Sequence, residues 1–248
     1  KNEQSQNYTN KQNKSENENM LLEKMAESVS LPRGRDAPPL PPGRRRGDAP
    51  RREKGERQGR GPRGAHVPDM KLYWRQTVLP DDVLLARLSP ERREKVLRCH
   101  DLETAAGLAA AGLLLAEYVA DEGAVLRTPE GKPYLPGGPE FSLSHGGSLA
   151  VLLISDTPCG VDVERVDRTA SERVRARVLR PEEAESCRAF AWLWTRKEAV
   201  MKLDGRGLGL DPQRFSVLGA RTRLDGREIA LATQIVYGHF ISIAYDKK

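Results

Sequence analysis

The sequence predicts an α+β fold with antiparallel strand pairing. Strand-like runs come in neighbouring sets joined by short turns, as in Glu140–Ser144 and Leu149–Ser155 around His145-Gly146-Gly147. Stretches with helix caps stand between those sets, so helices and hairpins alternate in groups. Charge balance shows which part of the chain takes part. Of 248 residues, the first 69 hold 15 Lys+Arg against 10 Asp+Glu, and the other 179 hold 26 against 25. The basic excess sits at the front, which argues against reading the whole chain as a basic nucleic-acid-binding domain. A body of 179 residues suffices for one good core, or for two small pseudo-repeats sharing one.

Taken in order, Lys1–Asn19 is Lys, Asn, Glu, Gln and Ser almost throughout, too polar to offset its ordering entropy by burial. Met20–Val29 has the pattern of a helical turn or two. Leu31–Arg63 holds ten Arg, seven Pro and six Gly, with Pro39–Pro42 and Arg44–Arg46 reading as solvated linker. Residues 1–69 are therefore expected to be a disordered leader outside the fold. No apolar h-region opens the chain, so no secretory signal is expected. Cys99, Cys159 and Cys187 show no CxxC spacing, which fits neither a zinc ribbon nor a dithiol site and suits a reducing cytoplasm. No apolar run approaches the roughly 20 residues of a membrane span.

Lys71–Val78, with Tyr73, Trp74, Thr77 and Val78, predicts the first strand. Ser89-Pro90-Glu91 starts a helix, with Ser as cap, Pro first and an acid in the first turn. Asp101 caps a second helix running to Ala120. Gly131-Lys132-Pro133 is a turn. Thr157-Pro158 leads into a strand over Gly160–Glu164. Ser171–Leu179 and Pro181–Cys187 are short helical pieces, and Ala189–Leu203 is a strong helix ended by Asp204-Gly205. Strands are expected at Arg214–Leu218, Glu228–Val236 and His239–Tyr245.

Four segments carry candidate chemistry. In Gly160-Val161-Asp162-Val163-Glu164 the strand period puts Asp162 and Glu164 on one face and the valines on the other. Adjacent carboxylates repel unless a cation lies between them, and oxygen-only ligation suits Mg²⁺. A solvated acidic strand face is the plain alternative. In Trp192–Lys202, Glu198 and Lys202 share a helix face, either as an ordinary ion pair or as a third metal carboxylate with a cation for phosphate. Phe141-Ser142-Leu143-Ser144-His145 lacks the G-x-S-x-G elbow of a serine hydrolase. A strand-end His before Gly-Gly better suits close approach to a ligand. Gly131-Lys132-Pro133 is weak alone.

Together and in this order, the four segments resemble the phosphopantetheinyl transferase superfamily, in its surfactin-synthetase-activating type. The resemblance extends through Gly205–Leu210 and Phe215-Ser216-Val217, and back to Met70–Tyr73 and Ser89–Lys95, so it spans residues 70–248. It implies a pseudo-twofold pair of α/β subdomains, roughly 70–159 and 160–248, with coenzyme A between them. It implies transfer of the phosphopantetheine arm to a serine of an apo acyl- or peptidyl-carrier protein, releasing adenosine 3′,5′-bisphosphate. Asp162, Glu164 and Glu198 would bind Mg²⁺, with Mn²⁺ as a substitute. Glu198 and Lys202 would be catalytic. Lys132, Pro133, Ser144 and His145 would line the nucleotide, Arg92 and Lys95 its 3′-phosphate, and Asp167–Ser186 would face the carrier. A monomer with no membrane or nucleic-acid partner is expected. The competing functions are nucleic-acid binding through the leader and an inactive interaction module.

The sequence also departs from the family pattern. Where the second helix usually carries a basic residue against the nucleotide phosphates, this chain has Ala105-Ala106-Gly107-Leu108. A lost charge-assisted hydrogen bond costs about 1.5–3 kcal/mol, which implies weaker coenzyme A binding or a substitute from Arg92, Arg93 or Arg98. Ser142 stands at the family's usual Asn, and Gly146 at its usual Ser.

Overall fold

The computed structural model describes residues 35–36, 68–77, 82–119 and 122–246. The expected helical turn at Met20–Val29 and most of the leader lie outside the described residues.

Two four-stranded sheets meet face to face. The first has the order β1-β2-β6-β5, from Arg35–Asp36 (β1), Met70–Gln76 (β2), Glu140–Gly146 (β5) and Leu149–Ser155 (β6). The second has the order β7-β10-β9-β8, from Cys159–Arg165 (β7), Arg221–Leu224 (β8), Arg227–Val236 (β9) and His239–Asp246 (β10). A small ribbon pairs Leu126–Arg127 (β3) with Pro133–Tyr134 (β4). Every pairing is antiparallel except the two-residue β1–β2 contact. The α+β class with antiparallel sheets therefore holds. The leader was expected to contribute nothing, yet Arg35 and Asp36 pair with Tyr73 and Trp74. Asp69 also exchanges backbone hydrogen bonds with Asp156, to its side chain and from its N–H.

The helices follow from their caps. A single turn at Asp82–Leu85 (α1) precedes Pro90–Arg98 (α2), where Ser89 Oγ accepts from the Arg92 N–H at 3.0 Å. Asp101 caps Leu102–Tyr118 (α3) by accepting from the Thr104 N–H at 2.8 Å. Glu172–Val178 (α4) and Pro181–Ala184 (α5) are short, and Phe190–Asp204 (α6) is long. Gly205, at φ 93°, ends α6 in the left-handed conformation that glycine adopts without strain. Among the described residues no helix is long and apolar enough to cross a membrane.

Strand alternation assigns each residue to a layer. Leu149, Val151 and Leu153 meet Val161, Val163, Ile241 and Ile243 between the sheets. Ala150 and Leu152 face the other way, against Ala110, Leu114 and Leu115 of α3. Phe240 and Ala244 face Leu193, Ala199 and Val200 of α6. The layers are thus α3, first sheet, second sheet, α6. β6 is an almost unbroken apolar run because both its faces are covered. Cys159 begins β7 between the sheets, and burial pushes its thiol up to about 12, whereas Cys187 is exposed just past α5.

One predicted strand is absent. Arg214–Leu218 is irregular, and the edge strand is Arg221–Leu224 instead. Side chains satisfy that irregular backbone in place of a neighbouring strand. Lys197 Nζ donates to the Phe215 carbonyl at 2.9 Å, Arg196 Nε to the Val217 carbonyl at 2.7 Å, and the Val217 N–H donates to Glu183 at 2.8 Å. Lys197 and Glu183 form an ion pair of 2.8 Å with both side chains fully buried.

Candidate active site

The site lies where the two sheets touch, along β5 and β7 with α6 above them. Its closeness depends on small residues. A Cβ on Gly160 would lie 2.0 Å from the Ala199 carbonyl oxygen, so the backbone of α6 rests directly on β7. A Cβ on Gly146 would meet the Val163 carbonyl oxygen at 2.5 Å. The Ser142 hydroxyl accepts from the Val161 N–H at 3.0 Å, stitching β5 to β7. The departures at Ser142 and Gly146 thus belong to the seam between the sheets.

Asp162 points from β7 toward α6 and is 2% exposed. Its Oδ1 accepts from Lys202 Nζ at 2.6 Å and from the Ser144 hydroxyl at 2.7 Å. Lys202 Nζ also donates to Ser144 Oγ at 2.7 Å, closing a triangle. Oδ2 is buried and has no hydrogen-bond partner among the described residues. Glu198, one turn before Lys202 on α6, lies 3.8 Å from Lys202 Nζ. Burial and the neighbouring Asp162 carboxylate push Glu198 up to about 7, against the pull of Lys202. The Asp162 carboxylate beside it, by its charge and by a shared hydrogen bond, keeps the second carboxyl from ionising readily.

Glu164 shares this strand face but pairs with Arg168, which the sequence reading did not single out. Among the described residues no three His, Cys, Asp or Glu side chains converge as metal ligands. Asp162 and Glu198 are the converging part of the expected trio. Their oxygen-only character fits a hard divalent cation, with Glu164 two residues away on the same face.

The expected nucleotide residues are divided. Ser144 joins the Asp162–Lys202 triangle, and His145 follows it on β5. Burial, then the positive charges of Lys202 and Arg92, hold His145 below its ordinary range. Lys132 Nζ donates to the Leu203 carbonyl at 3.0 Å, so it caps the last turn of α6. Pro133 opens β4 and lines a cavity of about 60 Å³ together with Arg92 and Glu122. Arg92 is bound by Glu122, and Lys95 by Glu91 at 2.6 Å. Glu122 is a second residue the sequence reading missed, because an acid at the start of a one-turn 3-10 helix, thirty residues from its partner, leaves no local pattern. Within the stretch 105–108, where a basic residue was expected, a Cβ on Gly107 would lie 2.1 Å from the Gly147 carbonyl oxygen, so α3 packs too closely for a side chain at that one residue.

Comparison with known proteins places the chain in a family. Residues 158–235, which carry Asp162, Glu164, Glu198 and Lys202, match the 4′-phosphopantetheinyl transferase superfamily. A 4′-phosphopantetheinyl transferase of Bacillus subtilis is 30% identical over 155 residues, which cover 55% of this chain and 69% of that protein. The chain belongs to the 4′-phosphopantetheinyl transferase superfamily. The 4′-phosphopantetheinyl transferase Sfp of Bacillus subtilis strain 168 is 29% identical over 157 residues, covering 56% of this chain and 69% of Sfp. The transferase psf-1 of Bacillus pumilus is 34% identical over 107 residues, covering 39% and 45%.

Proposed function

We propose that this chain transfers the 4′-phosphopantetheine arm of coenzyme A to a serine hydroxyl of an apo acyl- or peptidyl-carrier protein. Adenosine 3′,5′-bisphosphate is the second product. The observation that carries the reading is the buried Asp162 with its unpartnered Oδ2, beside a Glu198 carboxyl raised to about 7. Membership of the superfamily supports it.

Asp162, Glu164 and Glu198 would hold Mg²⁺, or Mn²⁺ in its place, which when bound withdraws charge from a diphosphate. The remaining work belongs to the chain. The serine Oγ forms a bond to the β-phosphorus as the bond from that phosphorus to the bridging oxygen breaks, and the bisphosphate leaves with the electron pair. Glu198, one turn from Lys202 on α6, is the base that accepts the serine proton. Lys202, fixed by Asp162 and Ser144, is a preorganised cation for charge on the transferring phosphoryl group. Lys132, Pro133, Ser144 and His145 line the nucleotide, with Arg92 and Lys95 toward its 3′-phosphate. Residues 70–159 and 160–248 act as the two halves of one transferase unit, and Asp167–Ser186 meets the carrier. A monomer in the cytoplasm suits this role. The competing nucleic-acid reading rests on the leader, most of which lies outside the described residues.

The test is mass spectrometry of a panel of apo carrier proteins incubated with the chain, coenzyme A and Mg²⁺. A gain of one phosphopantetheine is expected, abolished by EDTA and restored by Mg²⁺ or Mn²⁺. No gain on fatty-acid, polyketide or peptide-synthetase carriers, or full activity in EDTA, overturns the proposal.

A further inference from the structure

We infer that the far edge of the second sheet carries a separate anion site: an arginine-lined pocket formed by β8 and the 214–219 segment, which binds the phosphate groups of a di- or triphosphate. Such a site goes beyond the transfer reaction and does not depend on it.

The pocket measures about 420 Å³, within the range of small-molecule sites. Arg180, Arg214, Arg221 and Arg223 line it, and Glu228 is the one acid among the described residues that do. Local structure brings these arginines together. The strand period puts Arg221 and Arg223 on one face of β8, with Thr222 and Leu224 buried on the other. Arg214 closes the 3-10 turn Pro212–Arg214. Arg180 stands just before α5, and its Nη1 donates to the Gln213 carbonyl at 2.9 Å, which fixes it beside that turn. The strand order β7-β10-β9-β8 places β8 three strands from β7, about 14 Å at the usual spacing, so the pocket is not part of the Asp162 site.

Three of the four arginines already have a carboxylate partner. Arg180 Nε donates to Glu182 at 2.5 Å, Arg214 Nη2 to Asp225 at 2.5 Å and Arg221 Nη1 to Glu228 at 3.2 Å. Every side chain in these pairs is at least 34% exposed, and exposed pairs of this kind hold weakly. Asp225 also accepts from Arg206 at 2.6 Å, so its single charge is divided between two guanidiniums. Each guanidinium keeps further N–H groups for an incoming anion. Arg223 has no side-chain partner among the described residues, and the same holds for the Ser216 and Thr222 hydroxyls in the lining. The lining is therefore rich in donors and poor in acceptors. Its one aromatic residue, Phe215, is 2% exposed, so no ring is offered for stacking and charge is what the pocket recognises. The planar fork of arginine matches phosphate oxygens, and a diphosphate has enough charge and oxygens to take Arg223 and a second arginine at once.

The experiment titrates inorganic pyrophosphate into the full chain by calorimetry, in EDTA and at a fixed ionic strength of about 0.15 M. No carrier is added, because Arg180 also belongs to the stretch proposed to meet one. A Kd of about 1 mM or tighter is expected. Arg223→Gln, at an exposed position, should weaken it by about tenfold or more, the factor of one lost charge-assisted hydrogen bond, with no change in melting without the anion. Lys202→Met, at the transfer site, should leave the affinity as it is. Absent binding overturns the inference, as does binding that survives Arg223→Gln and is lost in Lys202→Met. Citrate bound as tightly as pyrophosphate overturns the phosphate class. A second measurement needs no substitution: pyrophosphate should slow phenylglyoxal modification of Arg221 and Arg223, mapped by mass spectrometry of peptides. Equal modification with and without the anion overturns the site. None of these readings uses transfer, so failure of the transferase proposal would leave them standing.

Discussion

Asp162 gives its two carboxylate oxygens opposite surroundings: Oδ1 takes an ammonium and a hydroxyl, while Oδ2 is buried without a partner. That asymmetry makes the residue sensitive to substitution. Asp162→Ala or Glu198→Gln should lower turnover on a confirmed carrier by about two or more orders of magnitude, since each removes several kcal/mol of charge stabilisation. Turnover like the unaltered chain would remove both residues from the mechanism. The raised Glu198 carboxyl also has a signature in stability. Its value rises from 4.5 to about 7 on folding, so the folded state holds the proton more tightly than the unfolded chain. The cost of burying Glu198 is absent below pH 4.5, grows as pH rises and is complete once pH passes about 7. In EDTA, Glu198→Gln should therefore melt close to the unaltered chain at pH 4.5 and above it at pH 8. Parallel melting profiles across that range would show that Glu198 is not held in the charge-averse setting described.

At the scale of elements, α6 is the part on which most depends, because its backbone lies on β7 and its side chains brace the loop beyond it. Gly160→Ala places a methyl group against the Ala199 carbonyl and the Leu203 N–H. It should cost about 1–3 kcal/mol in urea denaturation, typical of overpacking, and lower transfer by moving Glu198 and Lys202 away from Asp162. Stability and transfer both unchanged would mean the contact is looser than described. Lys197→Met strands Glu183 as an uncompensated buried charge, and a loss of about 3–5 kcal/mol is expected by the same measurement. The caps at Ser89 and Asp101, the β7 alternation and the end of α6 at Gly205 were legible in the sequence because each depends on neighbours in the chain. The 214–218 segment was not. Phe215 and Val217 alternate like a strand, but long-range donors and acceptors on Lys197, Arg196 and Glu183 take the place of a strand partner. The true edge strand was signalled by Asp225-Gly226, both at positive φ, a turn suited to a tight hairpin. At the site, i,i+2 and i,i+4 spacing brought out Asp162, Glu164, Glu198 and Lys202. Arg168 stands four residues after Glu164 but beyond the end of β7, where no helix predicts that contact, and Glu122 meets a partner thirty residues away.

For the whole molecule, the site is a property of the junction and not of either sheet. Ser142, Ser144 and His145 come from one sheet, Asp162 and Glu164 from the other, and Lys132 crosses to the end of α6. Arg165 adds an exposed tie to Glu103 of α3 at 3.0 Å. The leader stands apart from this arrangement. Among the described residues it contributes the two-residue pairing of β1 with β2 and the hydrogen bonds between Asp69 and Asp156. A chain beginning at Pro68 should keep its transfer rate and lose less than about 1 kcal/mol, the worth of a net hydrogen bond. A large drop in melting temperature or transfer would place part of the leader inside the functional unit.

The three thiols differ enough in setting to supply an optical handle without engineering. Cys159 is sealed between the sheets and its thiol holds its proton to about pH 12, so a maleimide dye at neutral pH finds little thiolate there. Cys99 is half-covered and donates to the Asp101 carbonyl. Cys187 alone is open to solvent, one residue beyond the stretch assigned to the carrier. Brief labelling therefore puts a fluorophore beside the proposed docking face while leaving Asp162, Glu198 and Lys202 untouched. A carrier arriving there would change the dye's emission before any arm is transferred, separating encounter from chemistry in a single stopped-flow trace.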